Sequence, residues 1–142
     1  MQKTLQVILP AHNEEGNILP IYEELVNTLS TTPYSFSILF VDDGSSDKTL
    51  SIIKDLGSRD DKVRFISFSR NFGHQNAIKA GLDASFSDII VMMDCDLQHP
   101  PNLILELLRK YEQGYDIART NRIENKTAGF FKRKTSNLYY RF

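Results

Sequence analysis

Cysteine is almost absent from this sequence of 142 residues; Cys95 is the only one. A single thiol excludes an internal disulfide and a Cys-rich zinc site. No apolar run approaches the ~18 residues of a membrane span, and the first residues do not read as a secretory leader. This stretch of chain is therefore expected neither to enter nor to cross a bilayer by itself. The net charge of −1 gives nucleic acid no electrostatic hold. The glycine-rich phosphate cradles are missing as well: there is no G-x-G-x-x-G after the first expected strand and no G-x-x-x-x-G-K-[ST] anywhere. No internal repeat, low-complexity tract or linker divides the chain.

What remains is the composition of an ordinary soluble globule, 41% hydrophobic and 25% charged. The length suits one domain, and such a chain buries about 70% of the surface its unfolded form exposes. The near-neutral average conceals a bias. Between Ile117 and Phe142 the basic residues Arg119, Arg122, Lys126, Lys132, Arg133, Lys134 and Arg141 face the single acid Glu124, so the rest of the chain is acidic.

Apolar patterning divides the chain into alternating elements. Ile89 to Met93 is an unbroken apolar run, expected to be a strand buried on both faces as in a helix-covered parallel sheet. Ahead of it, Leu5–Leu9 reads as a strand stopped by Pro10, Ser37–Val41 as a second, and Val63–Phe68 as a third. Helices are expected between them. The first carries the stripe Ile18, Ile21, Tyr22, Leu25, Val26 and Leu29 behind Asn17 as N-cap, with Pro20 harmless in the first turn. The second, capped by Ser45 or Ser46, carries Leu50, Ile53 and Leu56 and closes on Gly57. The third runs from about His74 to Ser85, with Ala77, Ala80 and Gly81 small enough to lie close on a sheet. A fourth starts at Pro100-Pro101, carries Leu103, Ile104, Leu107, Leu108 and Tyr111, and ends at Gly114. Asp116–Asn121 is a candidate fifth strand. Such alternation predicts an α/β fold with a parallel sheet and right-handed crossovers.

The acids fall where strands end: Glu14 and Glu15 after the first, Asp42 and Asp43 after the second, Asp94 and Asp96 after the fourth. In a doubly wound sheet these loops share one edge, where open α/β sheets bind ligands. That edge is expected to hold carboxylates the core does not need. Asp94 and Asp96, two apart in an extended segment, would face one target while Cys95 turns aside as a small buried filler. Paired hard oxygen donors suit Mg²⁺ or Mn²⁺, with phosphate oxygens completing the shell. An acid closing the second strand suits a ribose hydroxyl or a base N–H. Together these point to a metal-dependent site for a nucleoside diphosphate compound. Of the histidines, His12 and His99 lie in rim loops within reach of a ligand, and His74 is read as a helix-start residue with a solvated ring. Arg119 and Arg122 are either phosphate-facing or an exposed pair.

Several stretches together resemble the donor-binding half of family 2 glycosyltransferases with the GT-A fold, in particular the polyprenyl-phosphate sugar transferases. They are Val7–Glu15, Val41–Asp47, Arg70-Asn71-Phe72-Gly73 with Ala77 and Ala80-Gly81, Asp94–Pro101, Gly114-Tyr115-Asp116, Arg122 and the Lys132-Arg133…Ser136 run. The likeness covers essentially the whole chain in order. It implies a Rossmann-like, mostly parallel sheet with helices on both faces, cut short at its C-terminal side. Residues 1–124 would form the nucleotide-sugar donor core. Residues 125–142 would be a basic aromatic segment leading toward an acceptor-side region, either incomplete core beside the donor site or an amphipathic surface segment.

Carried over by position, the resemblance places Pro10, Ala11, His12 and Glu14 in the nucleotide pocket, together with Asp42 and Cys95. Asp43 would meet the base, and Asp94 and Asp96 would form the catalytic, metal-holding pair, Asp96 the firmer ligand. Gln98 would lie near the donor sugar, Arg122 near the diphosphate, with Lys132 or Arg133 a weaker phosphate contact. Cys95 departs from the small residue, often Ala, usual between the two acids. The implied activity is inverting transfer from a UDP- or GDP-sugar to a polyprenyl phosphate, or alternatively to a saccharide hydroxyl, with Mg²⁺ or Mn²⁺ as cofactor. The whole protein would work at the cytoplasmic face of a membrane on cell-envelope glycans, and turnover is expected of the whole protein rather than of this piece alone. Three rivals remain: a phosphorelay receiver, a dehalogenase-like phosphatase and a donor-binding module without catalysis.

Overall fold

The computed structural model describes residues 1–120. Their four strands are β1 (Thr4–Ala11), β2 (Ser35–Asp42), β3 (Val63–Ser67) and β4 (Ile89–Met92), alternating with α1 (Ile18–Leu29), α2 (Thr49–Arg59), α3 (His74–Asp83) and α4 (Leu103–Glu112). All pairings are parallel and the sheet order is β3-β2-β1-β4. The expected α/β architecture is thus present.

Side-chain alternation along β1 divides the core. Leu5, Val7, Leu9 and Ala11 join Ile38 and Phe40 of β2 and Ile89 and Val91 of β4 on the face covered by α1, α2 and α4. Ile8, Leu39 and Val41 face the other way, under Ala77 of α3. The chain moves outward from β1 to β3 with its helices on one face, then returns past β1 to β4 with α3 on the other. That change of face is what same-handed crossovers require when the winding reverses. The reversal leaves a crevice between the carboxyl ends of β1 and β4, the usual ligand position in such sheets. A receiver-type sheet, with its third strand beside its first, has a different order.

The helical stripes pack as their spacing predicts. Ile18, Ile21, Leu25 and Leu29 are fully buried along α1, each contributing about 1.5–3 kcal/mol of apolar burial. Gly81 brings α3 down onto the sheet: a β carbon there would meet Ile8 Cγ2. Gly44, at φ +64°, is required twice over, because a β carbon would overlap the Arg70–Asn71 backbone of the β3–α3 loop.

Several expectations fail for identifiable reasons. Pro10 does not stop β1; the strand runs through it to Ala11. The Ile8 and Pro10 carbonyls face the β4 side, taking the Met93 amide (3.2 Å) and the Cys95 thiol (3.4 Å). The missing N–H of Pro10 therefore faces a flank where β4 has already ended, and costs no ladder bond. The strands buried on both faces are β1 and the second half of β2, not β4. In β4 Ile89 and Val91 are buried, whereas Ile90 and Met92 are exposed, because α3 packs over β1 and β2 and, among the described residues, no helix covers that face of β4. Gly57 lies inside α2, and neither Ser45 nor Ser46 caps it; Asp47 Oδ1 accepts the Thr49 amide instead (2.9 Å). Asn17 precedes α1 without a side-chain cap, its amide donating to Glu14 Oε2 (2.6 Å). Residues 116–120 form no strand; Asn121, which would have ended it, and the 124/125 boundary lie outside the described residues. No helix among the described residues is long and apolar enough to cross a membrane.

Candidate functional site

The loop after β1 and the loop after β2 are bound to each other. Asn13, at φ +54°, accepts the Ser46 amide on its Oδ1 (2.9 Å) and donates its own amide to Ser45 Oγ (3.0 Å). The Glu14 amide donates to Thr49 Oγ1 (2.8 Å), and Glu15 Oε2 accepts the Lys48 amide (2.9 Å). Asp42 is 1% exposed, its carboxylate taking the Ser45 amide (3.3 Å) and the Ser67 hydroxyl (3.2 Å). Asp43, 4% exposed, accepts the amides of Phe72 (2.7 Å) and Gly73 (3.1 Å) from the β3–α3 loop. Most of the rim acids are thus structural acceptors. This corrects the expectation that the edge collects carboxylates the fold does not use.

Asp94 and Asp96 differ. Asp94 is about half exposed and accepts no hydrogen bond among the described residues. Among the described residues Asp96 accepts only the Gln98 amide, on Oδ1 at 3.1 Å. Neither is in β4 proper; the chain leaves the strand at Met92 and turns through Cys95–Gln98, with Leu97 at φ +56°. Cys95 is buried at 2% exposure, and its thiol donates to the Pro10 carbonyl. Burial, reinforced by the negative charges of Glu14, Asp94 and Asp96, pushes that thiol well above its ordinary range, so it is a packing group and not a nucleophile.

A cleft of about 340 Å³ opens between these loops, lined by Pro10, Ala11, His12, Glu14, Asp43, Asn71, Gly73, His74, Ala77, Asp94, Cys95 and Asp96. Its size is that of a small-ligand site, and it lies at the β1/β4 crevice. His12 Nδ1 donates to the Asp43 carbonyl (2.8 Å), which leaves Nε2 as acceptor toward the Asn13 amide (3.3 Å). His74 Nε2 lies 3.5 Å from Asp94 Oδ1. A second groove of about 200 Å³, lined chiefly by apolar residues such as Met92, Met93, Leu103 and Leu107, shares Pro10 and Asp94 with the cleft and includes His99.

A divalent cation fits this donor set. Among the described residues no three His, Cys, Asp or Glu side chains converge. Among the described residues an ion would thus have at most two carboxylates, Asp94 and Asp96, with water and ligand oxygens available for the rest of its shell. Mg²⁺ and similar ions accept that arrangement readily.

Of the residues singled out from sequence, Pro10, Ala11, His12, Glu14, Asp43, Asp94, Cys95 and Asp96 line the cleft. Asp42 does not; it is sealed beneath the β2–α2 turn. Gln98 lies outside the lining, exposed, and contributes its amide to Asp96. Arg122, Lys132 and Arg133 lie outside the described residues. Asn71, Gly73, His74 and Ala77 line the cleft without having been assigned to the site from sequence. His74 is half exposed, as its position suggested, but its ring sits beside Asp94. Only the strand order, which lays α3 against β1, could have revealed this.

Strand order, helix placement and the rim cleft together define an α/β domain of the GT-A class. The family model for glycosyl transferase family 2 matches residues 6–142, and the chain belongs to that family. It is 41% identical over 135 residues to an uncharacterized glycosyltransferase of Bacillus subtilis, YkcC, covering 95% of this chain and 42% of the relative. Identity to the bactoprenol glucosyl transferase of Shigella phage SfV is 37% over 137 residues, covering 96% of this chain and 45% of that protein. Among solved structures, glucosyl-3-phosphoglycerate synthase from Mycobacterium tuberculosis, in complex with Mn²⁺, UDP and glucosyl-3-phosphoglycerate, superimposes with a TM-score of 0.61 at 25% identity, covering 77% of this chain and 39% of that one. The chain thus spans less than half the length of these relatives.

Proposed function

We propose that the cleft binds a nucleoside diphosphate sugar and that the whole protein transfers the sugar, with inversion, to a polyprenyl phosphate. The observation that carries this reading is the division among the rim acids. Glu14, Glu15, Asp42, Asp43 and Asp47 accept hydrogens from the protein's own groups, whereas Asp94 and half of Asp96 are, among the described residues, uncommitted beside the crevice. Two such carboxylates would repel a diphosphate unless a cation stands between them.

Pro10, Ala11, His12 and Glu14 would form the wall beside the nucleoside. Asp43 keeps spare lone pairs for a base N–H after taking two amides. Asp94 and Asp96 would hold Mg²⁺ or Mn²⁺, Gln98 would lie toward the sugar and Arg122 toward the diphosphate. A divalent ion there supplies neutralisation of the charge that builds on the departing diphosphate. A phosphate-monoester acceptor has a second pKa of about 6, so its attacking oxygen is already anionic near neutral pH and needs no strong base. The likeness to a bactoprenol glucosyl transferase supports a lipid phosphate acceptor, which would bring the whole protein to the cytoplasmic face of a membrane.

Calorimetric titration of UDP- and GDP-sugars, with Mn²⁺ and with chelator, tests donor binding. Metal-dependent binding of one nucleotide class is expected; no binding to either overturns the reading. Nucleoside diphosphate release by the full-length protein, with polyprenyl phosphate against a soluble glycan, then decides the acceptor. Turnover on the glycan alone removes the lipid assignment and keeps the transferase.

A further inference from the structure

His74 lines the donor cleft, yet nothing in the transfer described above employs it. The cleft wall carries Glu14, Asp43, Asp94 and Asp96 and, among the described residues, no lysine or arginine. A diphosphate entering such a site needs side-chain donors. His12 is committed, with one ring nitrogen on the Asp43 carbonyl and the other facing the Asn13 amide. His74 is different: neither ring nitrogen has a hydrogen-bond partner among the described residues, and its side chain is 52% exposed. Its Nε2 stands 3.5 Å from Asp94 Oδ1, beyond the 2.7–3.2 Å of a well-formed hydrogen bond. The ring is therefore beside the cation-binding carboxylate without being consumed by it.

The backbone fixes that position. Gly73 is held by Asp43 and Asn71 (3.1 and 2.9 Å), so the first residue of α3 is delivered to the cleft rim. The amino end of α3, whose partial charge is positive, faces the same space.

We propose that His74 is a donor-contacting residue, its ring N–H donating to a diphosphate oxygen of the bound nucleoside diphosphate sugar. This rests on the reading that the cleft takes such a donor. Neutral imidazole already carries one N–H, so the contact needs no protonation. A ligand oxygen shared with a cation at Asp94 would lie within reach of the ring.

The test compares His74→Phe, which keeps ring volume and removes both nitrogens, with His74→Gln, which restores an N–H. Kd is measured by calorimetry for UDP, GDP and the bare nucleosides with Mn²⁺, and melting temperature is recorded in parallel. The Phe variant is expected to lose about tenfold or more in affinity for the diphosphate, the size of one hydrogen bond to a charged group. The Gln variant should remain within about threefold of wild type. Nucleoside affinity and melting temperature should not change. Wild-type affinity in the Phe variant overturns the proposal, as does a Gln variant as weak as Phe or an equal loss for the nucleoside. If the Phe variant does not fold, the Hε1 proton signal of the wild-type ring decides: it must shift with Mg²⁺ and diphosphate and stay fixed with Mg²⁺ and nucleoside. Wild type that binds neither diphosphate brings down the donor-site reading and this contact with it. Wild type that binds, alongside an unaffected Phe variant, brings down the contact alone.

Discussion

Asp43 Oδ1 accepts the backbone amide of Phe72 at 2.7 Å, so the end of β2 holds the loop that launches α3. The second oxygen takes the Gly73 amide at 3.1 Å. Cutting this buried carboxylate leaves the Phe72 amide without its acceptor and the Gly73 amide with Asn71 Oδ1 alone. Asp43→Ala should therefore cost about 1–3 kcal/mol, read as a lower urea midpoint at unchanged slope. Asp43→Asn keeps one acceptor oxygen and should fall between wild type and Ala. An unchanged midpoint for Ala would mean the loop is held elsewhere.

The strand–helix alternation was legible because each helical stripe is periodic and each loop polar; Ile18, Ile21, Leu25 and Leu29 are all buried where their spacing put them. What escaped was whatever depends on sheet order. Ile89 to Met93 reads as a strand buried on both faces, but burial on the second face depends on whether a helix overlies it, and α3 overlies β1 and β2. Pro10 reads as a strand stop because the direction its absent N–H would take is invisible in one dimension. The rim acids were legible as a group and not individually. Asp42 and Asp94 both follow apolar runs, yet Asp42 is sealed under its own turn, taking the Ser45 amide and the Ser67 hydroxyl, while Asp94 stands open with no such donor among the described residues.

Gly44 and Arg70 make a sharper test of loop packing. At φ +64° a β carbon is strained, and here it would also overlap the Arg70–Asn71 backbone. Gly44→Ala should lose about 1–2 kcal/mol from the left-handed conformation alone and more from displacing the β3–α3 loop. The displacement should also weaken nucleotide binding. Gly16→Ala, where nothing lies within 4 Å, is the control expected to be near neutral in the same urea titration.

Two links at the opposite edge of the sheet set pH limits. The Asp88 carboxylate accepts the Thr4 amide and hydroxyl, both at 2.8 Å, joining the start of β4 to the start of β1. These bonds hold its pKa below the usual carboxylate value. Its contribution is present above the unfolded pKa and is lost as pH falls through the lowered folded one. Asp88→Asn should therefore flatten the acid limb of a stability–pH curve below about pH 4. Tyr34 is pushed up to about 12, by burial first and then by donating to Glu112 at 2.8 Å. The stability it adds is whole below pH ~10 and disappears as pH rises through the folded value. Ultraviolet titration should find a tyrosinate step at about pH 12, and Tyr34→Phe should remove it.

Asp94 and Asp96 allow the pair to be ranked. Asp96→Asn keeps the Oδ1 that receives the Gln98 amide, and Asp94 accepts nothing among the described residues. Neither substitution has a structural bond to break, so melting should stay within about 0.5 kcal/mol of wild type for both. Changes one layer outside a metal's ligands cost about 10–100-fold in affinity. Loss of a ligand itself should reach at least the upper end, so Asp96→Asn is expected to weaken Mn²⁺-dependent nucleotide binding by about 100-fold or more. Asp94→Asn, at the more open position, should lose less. Calorimetry of both variants with UDP or GDP settles the order. A larger loss at Asp94 would move the firmer ligand to the residue beside His74, and unchanged affinity in both would remove the cation from this rim altogether.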